Sequence, residues 1–209
     1  RLGEPVALSE PADTQIADLD ILNAGFFWQY DRLDNALYPT KGYSLSGTLA
    51  IGRKLIGPEV GEDGKRVIWQ PWGKLNLAQY HRIGQVWVLH HRLSAAYLGA
   101  EQLFLNELFR VGGLNSLRGF NDNFFFASYY VISNLEWRLL LEDSDKDQSY
   151  LYVFYDQALM GHSLPQTAYR ELPAGIGAGL SFSTRAGIFN LVYALGRTRE
   201  RSFNPSLSR

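Results

Sequence analysis

Apolar and polar positions alternate with a period of two over most of this chain, in segments separated by turn residues. From Tyr43 the odd positions are Tyr43, Leu45, Gly47, Leu49 and Ile51, whereas Ser44, Ser46, Thr48, Ala50 and Gly52 occupy the even ones. The same split recurs from Trp87, with Trp87, Leu89, His91, Leu93, Ala95 and Tyr97 on one phase and Val86, Val88, His90, Arg92 and Ser94 on the other. A third segment sets Tyr129, Val131, Ser133, Leu135, Trp137, Leu139 and Leu141 against Tyr130, Ile132, Asn134, Glu136 and Arg138. The pattern predicts eight strands, at 18–31, 42–55, 67–82, 85–99, 129–142, 150–159, 172–186 and 188–197. No helix is predicted.

These strands exceed the roughly 5–6 residues usual in soluble sheets and reach the roughly 9–11 tilted residues that cross a bilayer. Connections at 83–84 and 186–187 are tight, those at 56–66, 100–128 and 160–171 are long, and those at 32–41 and 143–149 are intermediate. Aromatic residues collect near strand ends, as Phe26, Phe27 and Trp28, Trp69 and Trp72, Tyr129 and Tyr130, and Tyr150 and Tyr152. Together these features predict an all-β, antiparallel transmembrane β-barrel with interfacial aromatic girdles. The competing reading is a soluble β-sandwich with an aromatic core.

Composition narrows the functional classes. The 209 residues carry a net charge of −1 with both signs dispersed, so no basic stripe exists to follow a phosphate backbone, and nucleic acid is excluded as a partner. Cysteine is absent, which removes disulfides, thiolate metal sites and a cysteine nucleophile. His81, His90, His91 and His162 include no pair at ligand spacing on one face, so no metal site is predicted. Gly175-Ile176-Gly177-Ala178-Gly179 is not a dinucleotide fingerprint, and Gly179-Leu180-Ser181-Phe182-Ser183 lacks a glycine of the nucleophile elbow. Glu142 to Asp147 reads as a solvated turn rather than a calcium loop, and Pro58 to Lys65 as a solvated hairpin. The chain is expected to work without a cofactor and not as an enzyme.

One charge stands out. In Phe109-Arg110-Val111-Gly112-Gly113-Leu114-Asn115-Ser116-Leu117-Arg118-Gly119-Phe120, Arg118 sits among glycines and apolar residues. Gly112, Gly113 and Gly119 permit a folded-back loop that delivers this arginine to a particular place. A barrel lumen is polar, and strand phase puts Glu136 on the polar side, while a carboxylate at Asp156 is costly against lipid. Both are candidate acceptors for a forked guanidinium contact that would pin the loop at 100–128 to the inner wall.

The segment from Phe109 to Phe120 resembles the sixth extracellular loop of the BamA and TamA superfamily, with its Val/Leu-Arg-Gly-Phe/Tyr tip. Upstream, Leu33-Asp34-Asn35-Ala36-Leu37-Tyr38-Pro39-Thr40-Lys41-Gly42-Tyr43 resembles a periplasmic turn of the same barrels, carried by Asp34, Pro39 and Gly42. The resemblance covers 18–209 and implies that Arg118, with Leu117, Gly119 and Phe120 around it, binds Glu136 and Asp156. It further implies residence in a bacterial outer membrane and a factor that folds or inserts β-barrel clients through a lateral seam. The implied partners are outer-membrane lipid, unfolded β-barrel client proteins, and periplasmic or lipoprotein accessory subunits.

Residues 18–209 are then expected to be the C-terminal portion of a 16-stranded barrel short of its last strand, with 1–17 a linker or the remnant of a preceding strand. No POTRA repeat is visible, and Ser202 to Arg209 lacks a terminal aromatic, so the chain reads as a piece of a longer protein. A polypeptide secretion pore, or a barrel anchoring an attached domain, is the alternative within the family. A passive porin or structural barrel is the alternative outside it.

Overall fold

The computed structural model describes residues 19–56, 66–141, 149–164, 167–184, 187–198 and 200–202. The segment 1–17, the hairpin at 58–65, the acidic run 142–147 and the residues 203–209 lie outside the described residues.

The described strands are β1 (Leu19–Leu33), β2 (Gly42–Ile56), β3 (Arg66–Ile83), β4 (Trp87–Leu98), β5 (Phe109–Val111), β6 (Phe125–Ala127), β7 (Tyr129–Leu140), β8 (Tyr150–Leu164), β9 (Thr167–Glu171), β10 (Ala174–Thr184), β11 (Gly187–Arg197) and β12 (Glu200–Ser202). One antiparallel sheet runs β1-β2-β3-β4-β7-β8-β10-β11, with β9 paired to β8 and to β12. Among the described residues β1 and β11 do not pair with each other, so this wall is open. Strands β9 and β10 together follow β8, and they are separated at Leu172-Pro173, where proline has no N–H to give to the ladder. Counting β9 with β10 and β11 with β12, eight strands cross the wall, as the alternation predicts.

Two expectations change. The connection expected at 160–171 is not a long loop, because β8 continues to Leu164 and β9 begins at Thr167, in a register from Met160↔Glu171 to Leu164↔Thr167. Gly161, His162 and Ser163 have the composition of a turn, but pairing across the hairpin satisfies their backbone better than a loop would. Consequently the length asymmetry between the two ends of the wall rests mainly on the segment between β4 and β7. That segment is also structured. It holds a 3-10 turn at Leu105–Glu107 and the β5–β6 hairpin, neither of which the sequence pattern announces.

The two faces of the wall are the reverse of a soluble sheet's. On one side Leu135, Trp137, Leu151, Val153, Tyr155, Ile176, Leu191, Tyr193 and Leu195 are exposed. On the other, Lys54, Gln70, His90, Asn134, Glu136 and Asp156 are buried. Apolar side chains face outward because the surrounding medium is lipid, while the polar phase turns toward the long loop that covers it. That loop carries its own small core, in which Val111, Leu117, Phe125 and Ala127 pack on Ile132, Ala158 and Met160 of the wall.

Candidate functional site: a loop tip laid across one row of the wall

Register fixes the site before any side chain is considered. Arg92 pairs with Asn134, Asn134 with Asp156, Asp156 with Gly175, and Gly175 with Gly196. Directly opposed residues project to the same face, so these residues of β4, β7, β8, β10 and β11 form one inward-facing row across the sheet.

The loop tip lies along this row in sequence order. Arg92 Nη2 donates to the Asn115 carbonyl at 3.1 Å, and Asn134 Nδ2 donates to the Ser116 carbonyl at 2.9 Å. Asp156 accepts the Arg118 backbone N–H at 3.0 Å and one edge of its guanidinium, Nε at 2.8 Å and Nη2 at 2.6 Å. The row ends in two glycines. A Cβ on Gly175 would strike the Arg118 carbonyl, and one on Gly196 would strike the Gly119 carbonyl. Gly119 itself has φ +94° and lies against the backbone of Leu195 and Gly196, a combination that only glycine meets without strain.

A second row stands one pleat away. Tyr80 pairs with His90, His90 with Glu136, Glu136 with Phe154, and Phe154 with Gly177. Arg118 reaches into it, with Nη1 donating to Glu136 Oε1 at 2.5 Å and the guanidinium 3.8 Å from the centre of the Phe154 ring. The other oxygen of Glu136 accepts Nε and Nη2 of Arg138, at 2.8 and 2.6 Å. His90 stacks on Tyr80, and its Nδ1 lies 3.1 Å from that same oxygen. Arg118 is 5% exposed, Glu136 9% and Asp156 0%, so water scarcely competes for these contacts. A buried ion pair persists only when its remaining donors and acceptors are satisfied, as they are around both carboxylates here.

The tip is also stiff in itself. Gly112 and Gly113 have φ of +131° and +88°, Ser116 Oγ accepts the Gly112 N–H and donates to its carbonyl, and Gly113 N–H donates to the Phe120 carbonyl. Leu117 is fully buried in the loop's core, and Phe120 packs edge-on against Phe125.

The loop is held a second time at its entering leg. Glu107, closing the 3-10 turn by accepting the Phe104 N–H at 2.9 Å, receives Lys54 Nζ at 2.8 and 3.0 Å and Gln70 Nε2 at 2.7 Å. Lys54 also donates to the Gln102 carbonyl at 2.6 Å and is fully buried. No local motif marks this pair in the sequence, although Lys54 continues the polar phase of Ser44 to Gly52. Arg92 and Asn134 lie on the predicted polar phases, but their partners are main-chain carbonyls, which carry no sequence signature.

The turn from Asp34 to Gly42 is a separate constellation at the opposite end of the wall. Asp34 Oδ1 accepts the N–H groups of Asn35, Thr40 and Lys41, each at 3.0 Å, while Oδ2 accepts the Thr40 hydroxyl at 2.6 Å. Asn35 Oδ1 accepts the N–H groups of Leu37 and Tyr38. At Gly42, φ is +112° and a Cβ would meet the Arg32 carbonyl, so the return into β2 requires glycine. Pro39 lies between Tyr38 and Thr40 within this turn.

The structure thus shows a lipid-facing antiparallel wall with an arginine-tipped loop folded onto its polar face. The family model for the Omp85 superfamily domain matches residues 8–206. The chain belongs to the Omp85 superfamily. This agrees with the BamA and TamA resemblance of the loop and turn motifs. Omp85 barrels are non-enzymatic assembly and transport factors of the outer membranes of Gram-negative bacteria and of organelles. The chain has no match among curated proteins.

Proposed function

We propose that this Omp85 wall belongs to a BamA-like insertase of a bacterial outer membrane, which folds or inserts β-barrel clients through a lateral seam. The observation that carries this reading is the loop tip laid across five strands and fastened by Arg118 to Asp156 and Glu136. A lumen face occupied by a fastened loop is poorly suited to steady passage of small solutes. It suits a wall that must keep its shape while its edges pair with other strands, since unpaired strand edges are strong templates for β-addition. The partners are outer-membrane lipid, unfolded β-barrel proteins, and periplasmic or lipoprotein accessory subunits.

The test uses the full protein and its accessory subunits reconstituted in vesicles of outer-membrane lipid. Protease-resistant, heat-modifiable folding of an added β-barrel client is measured against time. Wild type accelerates folding, and Arg118→Ala lowers the rate. Transport of an unfolded polypeptide into the vesicle interior, with no client folding, would move the assignment to a secretion pore. Steady conductance without either activity would move it to a porin.

A further inference from the structure

The Lys54–Glu107 pair lies outside the arginine clamp, on other strands and at the other end of the loop's path. Lys54 comes from β2 and Gln70 from β3, whereas Arg118 is held by β7 and β8. Glu107 precedes Arg118 by eleven positions (118 − 107), with the β5 strand between them. Each anchor is complete without the other. Around Glu107, Oε1 accepts from Lys54 and Gln70, and Oε2 accepts from Lys54 and the Phe104 N–H. The Lys54 ammonium has Glu107 and the Gln102 carbonyl, and stands 5.2 Å from the centre of the Phe104 ring. Lys54 at 0% and Glu107 at 4% side-chain exposure make this a desolvated contact. Removing either partner would strand a buried charge.

We propose that Lys54 and Glu107 form a second, independent anchor that positions the entering leg of the loop, so that the loop braces β2–β3 against β7–β8. Client assembly requires both anchors. Lys54 and Glu107 are positioning residues: they touch no client, and they act through the loop. The assembly part of this inference rests on the insertase reading, whereas the anchoring part does not.

The chain contains no cysteine, so labelling sites can be added to it without background from these 209 residues, any cysteine elsewhere in the full protein being first replaced by serine. Spin labels at outward-facing Leu75→Cys, paired in turn with exposed Asn106→Cys on the leg and exposed Leu114→Cys at the tip, report the two parts of the loop in the full protein in lipid. Glu107→Gln should broaden the Leu75-to-Asn106 distance distribution while the Leu75-to-Leu114 distribution stays narrow. Client folding should fall roughly three- to tenfold. Lys54→Met should do the same, and the double variant should be no worse than the poorer single one, because the two share one contact. An unchanged leg distribution in Glu107→Gln overturns the anchor. A broadened leg with wild-type client folding overturns its positioning role. Failure of the insertase reading looks different: wild type itself would then not accelerate client folding, while Glu107→Gln would still broaden the leg distribution.

Discussion

Asp156 accepts the backbone N–H of Arg118 and the Nε and Nη2 edge of its guanidinium, so one carboxylate fixes the main chain and the side chain of the same loop residue. Three converging bonds define both the depth and the rotation of the loop tip. Lysine can supply the charge but not the fork. Arg118→Lys should therefore cost about 1–3 kcal/mol in barrel stability. Arg118→Ala, which leaves two buried carboxylates short of a cation, should cost about 3–5 kcal/mol. Denaturant titration of the full protein in lipid, followed by tryptophan fluorescence, gives both values. An Arg118→Lys variant as stable as wild type would show that the fork does not matter.

The two acceptors are not equivalent. Glu136 is shared by Arg118 and Arg138, with His90 beside it, whereas in the side-chain contacts of Asp156 the cation is Arg118. Glu136→Gln leaves two arginines facing each other across a neutral amide, while Asp156→Asn leaves Arg118 its second carboxylate. Glu136→Gln should be the more destabilising change. The ranking is read from the same titration, and Arg118→Ala combined with Asp156→Ala should fall well short of the sum of the single effects.

How far the sequence could anticipate this site depends on the kind of partner each residue has. Period-two alternation identifies the strands of the wall, strand phase points to Glu136 as an acceptor for Arg118, and the cost of a carboxylate against lipid points to Asp156. The five-strand row is a matter of register, and no local pattern encodes register between β4, β7, β8, β10 and β11. Lys54 and Glu107 were legible in principle, since an isolated lysine on the polar phase needs a carboxylate as surely as an isolated arginine does. Gly161 to Ser163 misled because turn-like composition in β8 was outweighed by pairing with β9. The alternating glycines of β10 are plain in the sequence, but the loop backbone that occupies the space above them is visible only in three dimensions.

That backbone contact makes its own prediction. Gly175 and Gly196 are cross-strand partners, and each would drive an added methyl into the carbonyl of a tip residue. Backbone cannot move aside as a flexible side chain can. Gly196→Ala should destabilise by about 1–3 kcal/mol through overpacking. It should also shift the tip without touching Arg118, Glu136 or Asp156. A label at Leu114→Cys measured against outward-facing Leu75→Cys reports the shift, and an unmoved, fully stable tip would sink the account.

At the other end of the wall, acid should loosen the Asp34 turn. Burial alone would raise the Asp34 pKa, but hydrogen bonds from the Thr40 hydroxyl and the N–H groups of Lys41, Thr40 and Asn35 outweigh it, so the pKa falls below its ordinary 3.8. A group depressed in the folded state contributes stability that is fully present above its unfolded pKa. The contribution is lost as pH falls through the lowered folded value. The pH-dependent difference in stability between wild type and Asp34→Asn should thus be flat from neutral pH to about 5 and shrink below about 4. Because Asp34 is largely exposed, the effect should be modest. A difference that grows on acidification would reverse the sign of the argument.

The outward face supplies the sharpest discrimination between a lipid-embedded wall and a water-facing sheet. Leu135 lies midway along β7 and is 42% exposed, with Trp137 and Val153 likewise outward. In water, arginine at such a position would be nearly neutral, since half-exposed sheet positions accept long charged side chains readily. In a bilayer the same charge near the midplane costs about 2–4 kcal/mol. Leu135→Arg should therefore destabilise the full protein in lipid vesicles by about that amount. Moving the position toward a strand end should reduce the cost, as at Leu141 beyond the end of β7, where the interface is closer. The inward phase gives the matching control. Ile132 is 2% exposed beneath the loop's core, so Ile132→Arg should disrupt loop packing whether the outer medium is lipid or detergent. A Leu135→Arg variant as stable as wild type in lipid would place that face in water and return the soluble sandwich to contention.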